Sequence, residues 1–154
     1  MTFVRYFVAV GLGVYLGLGT VNLSAHGPSL DDAQKALAAA AESADGMGVQ
    51  LSCAVVDSRG ALVALARMDD ARYFTADVAV GKARATATFG APSGALSNLA
   101  SLGIGDVVEG GRMLFLQGAV PMMKNGELIG ALGCSGASSQ QDEDAANAGV
   151  NSIQ

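Results

Sequence analysis

The chain has 154 residues, enough for one domain, and a formal net charge of −5 with no basic run, which argues against nucleic acid or an anionic lipid surface as partner. Hydrophobic residues make up 51% and charged residues 15%, too apolar a composition for a disordered chain. Two cysteines and one histidine form no Cys/His cluster, so no structural metal site is expected.

Residues 1–27 stand apart from the remainder, 28–154. Residues 6–23 are 18 in a row without a charge, with Arg5 just before them and Asp31 the first charge after. A transmembrane helix needs about 20 apolar residues. A secretory signal has a shorter apolar core and a small-residue cleavage site, and the candidate site after Ala25 has Leu23 where a small residue is wanted. Gly13 and Gly17 form a G-x-x-x-G spacing that Gly11 and Gly19 extend, a surface on which another membrane helix can pack closely. Arg5 on the N-terminal side places the domain in the periplasm or outside the cell, whether the segment is a retained anchor or a cleaved signal.

In the domain, Ser29 is placed to cap a helix whose first turn carries Asp31 and Asp32. Leu30, Ala33, Leu37, Ala40, Ala41 and Ala44 share its apolar face, and Gly46 and Gly48 end it. Strands are predicted at 49–57 and 61–68 around a turn at 58–60. A second helix runs over 75–89, Pro92 breaks the chain, a short helix follows at 95–102, and 103–111 is a glycine-rich loop. Three more strands are predicted at 113–117, 119–124 and 127–134. Asn125-Gly126 makes a tight hairpin between the last two. A final helix spans about 142–150. This order argues an α+β fold with helices packed on an antiparallel sheet. Cys53 and Cys134 both fall in strand-like runs, where a disulfide is uncommon, so they are expected as two small buried apolar residues.

Lys82 is the leading candidate for chemistry. Thr75, Val78, Ala79, Lys82, Thr86 and Phe89 share one helical face, and a lysine on so apolar a face must pair, neutralise or snorkel to water. It could hold a carboxylate or a haem propionate, or act as a base. Asp57 suits a turn. Arg67 could pair with Asp69 or clamp an acidic ligand. Ser135-Gly136 after a strand, with Asp142 near a helix start, could present backbone N–H groups to an anion. Serine-hydrolase chemistry is disfavoured, because Gly133-Cys134-Ser135-Gly136-Ala137 lacks the last glycine of the nucleophile elbow and His26 lies outside the domain. Haem ligation is constrained in the same way: His26 is the only imidazole, and Met47, Met68, Met113, Met122 and Met123 read as core filler. Asp142-Glu143-Asp144 reads as acids in a first helical turn rather than a metal centre.

Four segments, AVVDSRGALVALARMDDA at 54–71, VGKARATATF at 80–89, GAVPMMKNGELIGALGCSGA at 118–137 and QDEDAANAG at 141–149, together resemble the GlcG/HbpS-like family, also found as the C-terminal domain of some corrinoid adenosyltransferases. The resemblance implies a profilin-like fold with a five-stranded antiparallel sheet in order 2-1-5-4-3, and homo-oligomers. It links the chain to haem binding or degradation, corrinoid metabolism and glycolate utilisation. Gly118-Ala119 replaces the family's usual paired glycine and Cys134 its usual apolar residue before Ser-Gly, both beside the loop expected to line a pocket. The expected ligand-binding set is Lys82, Arg67, Asp69, Gly118, Ser135, Gly136 and Asp142. Three functions follow. The first is an accessory subunit joined to membrane-protein subunits through its N-terminal helix. The second is an exported protein that binds haem, another tetrapyrrole or another small ligand. The third is a lyase or haem-degrading enzyme using Lys82 and a nearby acid.

Overall fold

The computed structural model describes residues 27–107 and 112–154. Helix α1 spans Leu30–Gly46, and the N–H of Asp32 donates to its capping Ser29 hydroxyl at 3.0 Å. Strands β1 (Ser52–Asp57) and β2 (Leu62–Arg67) follow, then helix α2 (Thr75–Phe89), a 3-10 helix over Ser93–Leu102, and the single-turn α3 (Ile104–Val107). Strands β3 (Ala119–Lys124) and β4 (Glu127–Ser135) form a hairpin before helix α4 (Ser139–Asn151). Asn125 and Gly126 both take positive φ, 52° and 81°, as a tight hairpin requires.

All the pairings are antiparallel, and the sheet runs β2-β1-β4-β3 with β1 and β4 at its centre. Alternation along the strands divides its two faces. On one face Cys53, Val55, Leu132 and Cys134 meet Ala36 and Ala40 of α1 and Ala145 and Ala146 of α4. On the other, Val56 and Ala131 meet Ala83 and Ala87 of α2. Glycine at 133 permits that second contact: a Cβ there would lie 2.6 Å from the Ala79 carbonyl and 2.9 Å from the Ala83 nitrogen. The result is three layers, α1 with α4, the sheet, and α2.

Two expectations are corrected. The described sheet has four strands, not five in order 2-1-5-4-3, because 113–117 does not pair. A Cβ on Gly81 would stand 2.8 Å from Leu114 Cγ; without one, Leu114 lies directly on α2 and its N–H donates to the Gly81 carbonyl at 3.0 Å. Met113 and Phe115 are buried against Ala85, with Leu96, Leu99 and Ile104 packed around them. The outer edge of β3 also refuses a fifth strand. The Ala119 N–H is taken by the Ser93 hydroxyl at 2.9 Å, and two residues on, Pro121 has no N–H to give.

The second correction concerns the cysteines. Cys53 and Cys134 sit directly opposite each other on β1 and β4, with Cα atoms 4.1 Å apart, and are bonded as a disulfide. Both are in the core, which is why sequence pattern alone gives them as buried apolar residues.

The expected N-terminal transmembrane or signal helix, with Gly11, Gly13, Gly17 and Gly19, lies outside the described residues; of residues 1–27 only Gly27 is described, and it packs against Asp57. No described helix is long and apolar enough to cross a membrane.

Candidate functional site

Lys82 and Asp142, 60 positions apart in sequence, meet under the end of the sheet. Lys82 Nζ donates to Asp142 Oδ2 at 2.8 Å and to the Cys134 carbonyl at 3.1 Å. The Ala137 N–H donates to Asp142 Oδ1 at 3.0 Å. Lys82 is 2% exposed and Asp142 3%. A pair this deep survives only with its charges matched and its hydrogen bonds filled, and here both carboxylate oxygens and the ammonium have partners. The pair ties α2, β4 and the first turn of α4 at one point.

Gly118 closes the pair from above. Its φ is +131°, and a Cβ there would lie 2.6 Å from Lys82 Nζ, 2.8 Å from Asp142 Cβ and 2.9 Å from the Cys134 carbonyl. Its carbonyl accepts the Cys134 N–H at 2.8 Å. Only a residue without a side chain fits there.

Immediately outside lies a cleft of about 510 Å³ between the 3-10 helix and α4. Its polar wall is made by the sequence neighbours of the buried group. Gln117, next to Gly118, donates through Nε2 to Gln140 Oε1 and to Glu143 Oε1, both at 3.2 Å, and Glu143 follows Asp142. The facing wall is apolar, with Phe115, Leu116, Pro92 and Ala95. Among the described residues, Glu143 is the one charged residue in its lining. The start of α4 is fixed by a capping box, in which the Gln141 N–H donates to the Ser138 hydroxyl and the Ser138 N–H to Gln141 Oε1. Glu143 therefore projects from a helical turn held at its cap and at Asp142.

Of the expected site residues, Lys82, Gly118 and Asp142 come together. Ser135 and Gly136 continue the chain from Cys134. Ser135 is buried opposite Ser52, whose hydroxyl hydrogen-bonds Thr75 Oγ1 at 2.8 Å, and Gly136 packs on the Gln50 carbonyl. The backbone donor expected there for an anion, at Ala137, is occupied by the chain's own Asp142. Arg67 and Asp69 are exposed at the β2 edge, two strands from Ser135, and no ion pair joins them among the described residues. Gln117, Gln140 and Glu143 were missed by sequence reasoning. The apolar run at 113–116 assigned Gln117 to a strand end, and Gln140 and Glu143 read as ordinary polar residues near a helix start.

Asp57 stands at the opposite end of β1. Burial raises its carboxyl pKa, but the Ala61 N–H at 2.9 Å, the Arg59 guanidinium at 2.9 Å and the Arg59 N–H at 2.9 Å outweigh that and hold it below the ordinary aspartate value. It shapes the β1–β2 turn.

Haem needs an axial donor from His, Met, Cys or Tyr. The described residues hold no histidine, and both cysteines are bonded to each other. Met122 is fully buried, and the Met68 sulfur accepts the Leu51 N–H. The clefts of about 510, 370, 350 and 240 Å³ have one sulfur in their linings, that of the buried Met113. Tyr73 and Met123 are exposed but line none of these clefts. Among the described residues, these clefts offer no exposed axial donor for haem.

Comparison with known proteins agrees on the fold. A family model described as haem degrading protein HbpS-like matches residues 29–151. Protein GlcG of Escherichia coli K12 is 35% identical over 107 residues, 64% of this chain and 74% of that protein. The crystal structure of a double mutant of HbpS from Streptomyces reticuli is similar with a TM-score of 0.76 and 32% identity, over 83% of this chain and 88% of that one. A crystal structure of a PduOC:haem complex is similar with a TM-score of 0.75 and 27% identity, over 83% and 96% of the two chains.

Proposed function

The chain belongs to the haem degrading protein HbpS-like family, and from that premise we propose that residues 28–154 form an extracytoplasmic small-ligand-binding module whose site is the cleft between the 3-10 helix and α4. One observation carries it: the cleft's polar wall, Gln117 and Glu143, is fixed through Gly118 and Asp142 to a buried, hydrogen-bonded ion pair. Such a wall is pre-formed, which lowers the ordering cost of binding. Binding is favoured over catalysis because Lys82 and Asp142, the buried acid and base, are spent on each other. The Cys53–Cys134 disulfide supports an oxidising compartment, and the family supports assembly with further copies of the chain.

Amide-shift mapping with a small-fragment mixture tests the site. The module predicts shifts concentrated at 93–97, 115–118 and 140–143. Shifts elsewhere, or none with any fragment, overturn it.

Haem is the second candidate ligand, favoured by the likeness to the PduOC:haem complex. The donor inventory of the described residues stands against it. Haemin titration of the full chain decides: a saturable Soret shift at one equivalent selects haem, and a spectrum matching free haemin rejects it.

A further inference from the structure

We propose that the cleft between the 3-10 helix and α4 is selective for a primary amine carrying an apolar body, an alkyl- or arylamine. This rests on the small-ligand reading above and adds the ligand's charge and shape. The lining is divided. Phe115, Leu116, Pro92 and Ala95 form an apolar wall, and Gln117 and Glu143 face it.

Charge decides the class. Among the described residues, Glu143 is the single ionised group in the lining, and no lysine or arginine shares it. The Lys82 ammonium is buried and matched by Asp142, so it offers nothing to a ligand. A carboxylate or phosphate entering the cleft would meet Glu143 with no counter-charge. A protonated amine would meet a carboxylate held in place by the Gln117 amide at 3.2 Å, and charge-assisted hydrogen bonds are the strong ones. One Glu143 oxygen accepts from Gln117, leaving the other to accept from the ligand, and the Gln117 amide oxygen adds a second acceptor. The net charge of −5 favours approach of a cation over long range. The cleft's volume of about 510 Å³ falls within the ordinary range for small-molecule sites.

The experiment uses three probes of nearly one shape: 2-phenylethylamine, 2-phenylethanol and 3-phenylpropionate, each titrated into the isotope-labelled full chain and followed by amide shifts. The amine is expected to bind in the cleft, the alcohol about tenfold more weakly, and the acid not at all. Glu143→Gln keeps an acceptor for Gln117 and removes the charge; it should cost amine affinity about tenfold and cost the neutral alcohol less, so that the preference for the amine narrows. Ser97→Lys, an exposed substitution on the cleft rim, should weaken the amine and admit the acid, which keeps the test decisive if Glu143→Gln fails to fold. Equal binding of acid and amine, or an amine affinity indifferent to both substitutions, overturns the proposal. Cleft shifts with other fragments but none with the amine overturn it while the binding module stands; silence from every fragment overturns both.

Discussion

A lysine that leaves water must take a matched charge with it. Lys82 could be singled out from its helix face alone, because a cation among alanines and threonines at helical spacing has nowhere neutral to go. Its partner could not, since Asp142 lies 60 positions away and reads locally as an ordinary first-turn acid. Breaking the pair from one side strands a buried charge, so Lys82→Met is expected to cost about 3–5 kcal/mol. Lys82→Met combined with Asp142→Asn should recover part of that, and urea unfolding of the two singles and the double measures it. Gly118→Ala meets two obstacles, a φ of +131° and a Cβ 2.6 Å from Lys82 Nζ; the backbone strain alone is worth about 1–3 kcal/mol. Asp57 contributes to the acid limb of stability. Its folded pKa is depressed, so its contribution is present above the unfolded value of about 3.9 and is lost as pH falls through the folded value. Asp57→Asn should flatten stability against pH below about pH 4 and lower it at neutral pH.

At the scale of elements, capping, turn and periodicity signals placed α1, α2 and the β3–β4 hairpin. These rest on local chemistry: the Ser29 cap, the Asn125-Gly126 turn and the small residues facing β1 and β4. The segment 113–117 shows where local pattern stops being informative. A continuous apolar run states only that side chains are covered on both sides, and here a helix, not a neighbouring strand, covers Leu114. The deciding features are Gly81 on α2 and the Ser93–Ala119 bond at the β3 edge, both distant in sequence. Gly81→Leu should therefore expel Leu114 and abolish slow hydrogen exchange at its amide. Cys53 and Cys134 were hidden similarly, because their register depends on β1 pairing with β4, which sequence alone leaves open. The disulfide closes a separation of 81 residues, worth about 4.5 kcal/mol in the loop-entropy account. Its sulfurs lie in the core, with Cys53 4% exposed and Cys134 0%. Native protein should resist reduction and alkylation, and Cys53→Ser should lower the urea midpoint by the corresponding amount.

At the scale of the molecule, the three layers bring Gln117 and Glu143 to one cleft and support both from the buried pair beneath. The α+β class and the family could be read from motifs spread along 54–149. The cleft could not, because its walls come from the 3-10 helix, the diverted segment and α4, whose juxtaposition is a tertiary fact. Gln117→Trp should fill the cleft from its polar wall while leaving the Lys82–Asp142 pair intact. Native mass spectrometry of the full-length protein from its producing cells, compared with that variant, tests the binding module most directly. A bound small molecule that stays with the wild type and is missing from Gln117→Trp is the predicted result; the same adduct on both proteins, or none on either across repeated preparations, would contradict it.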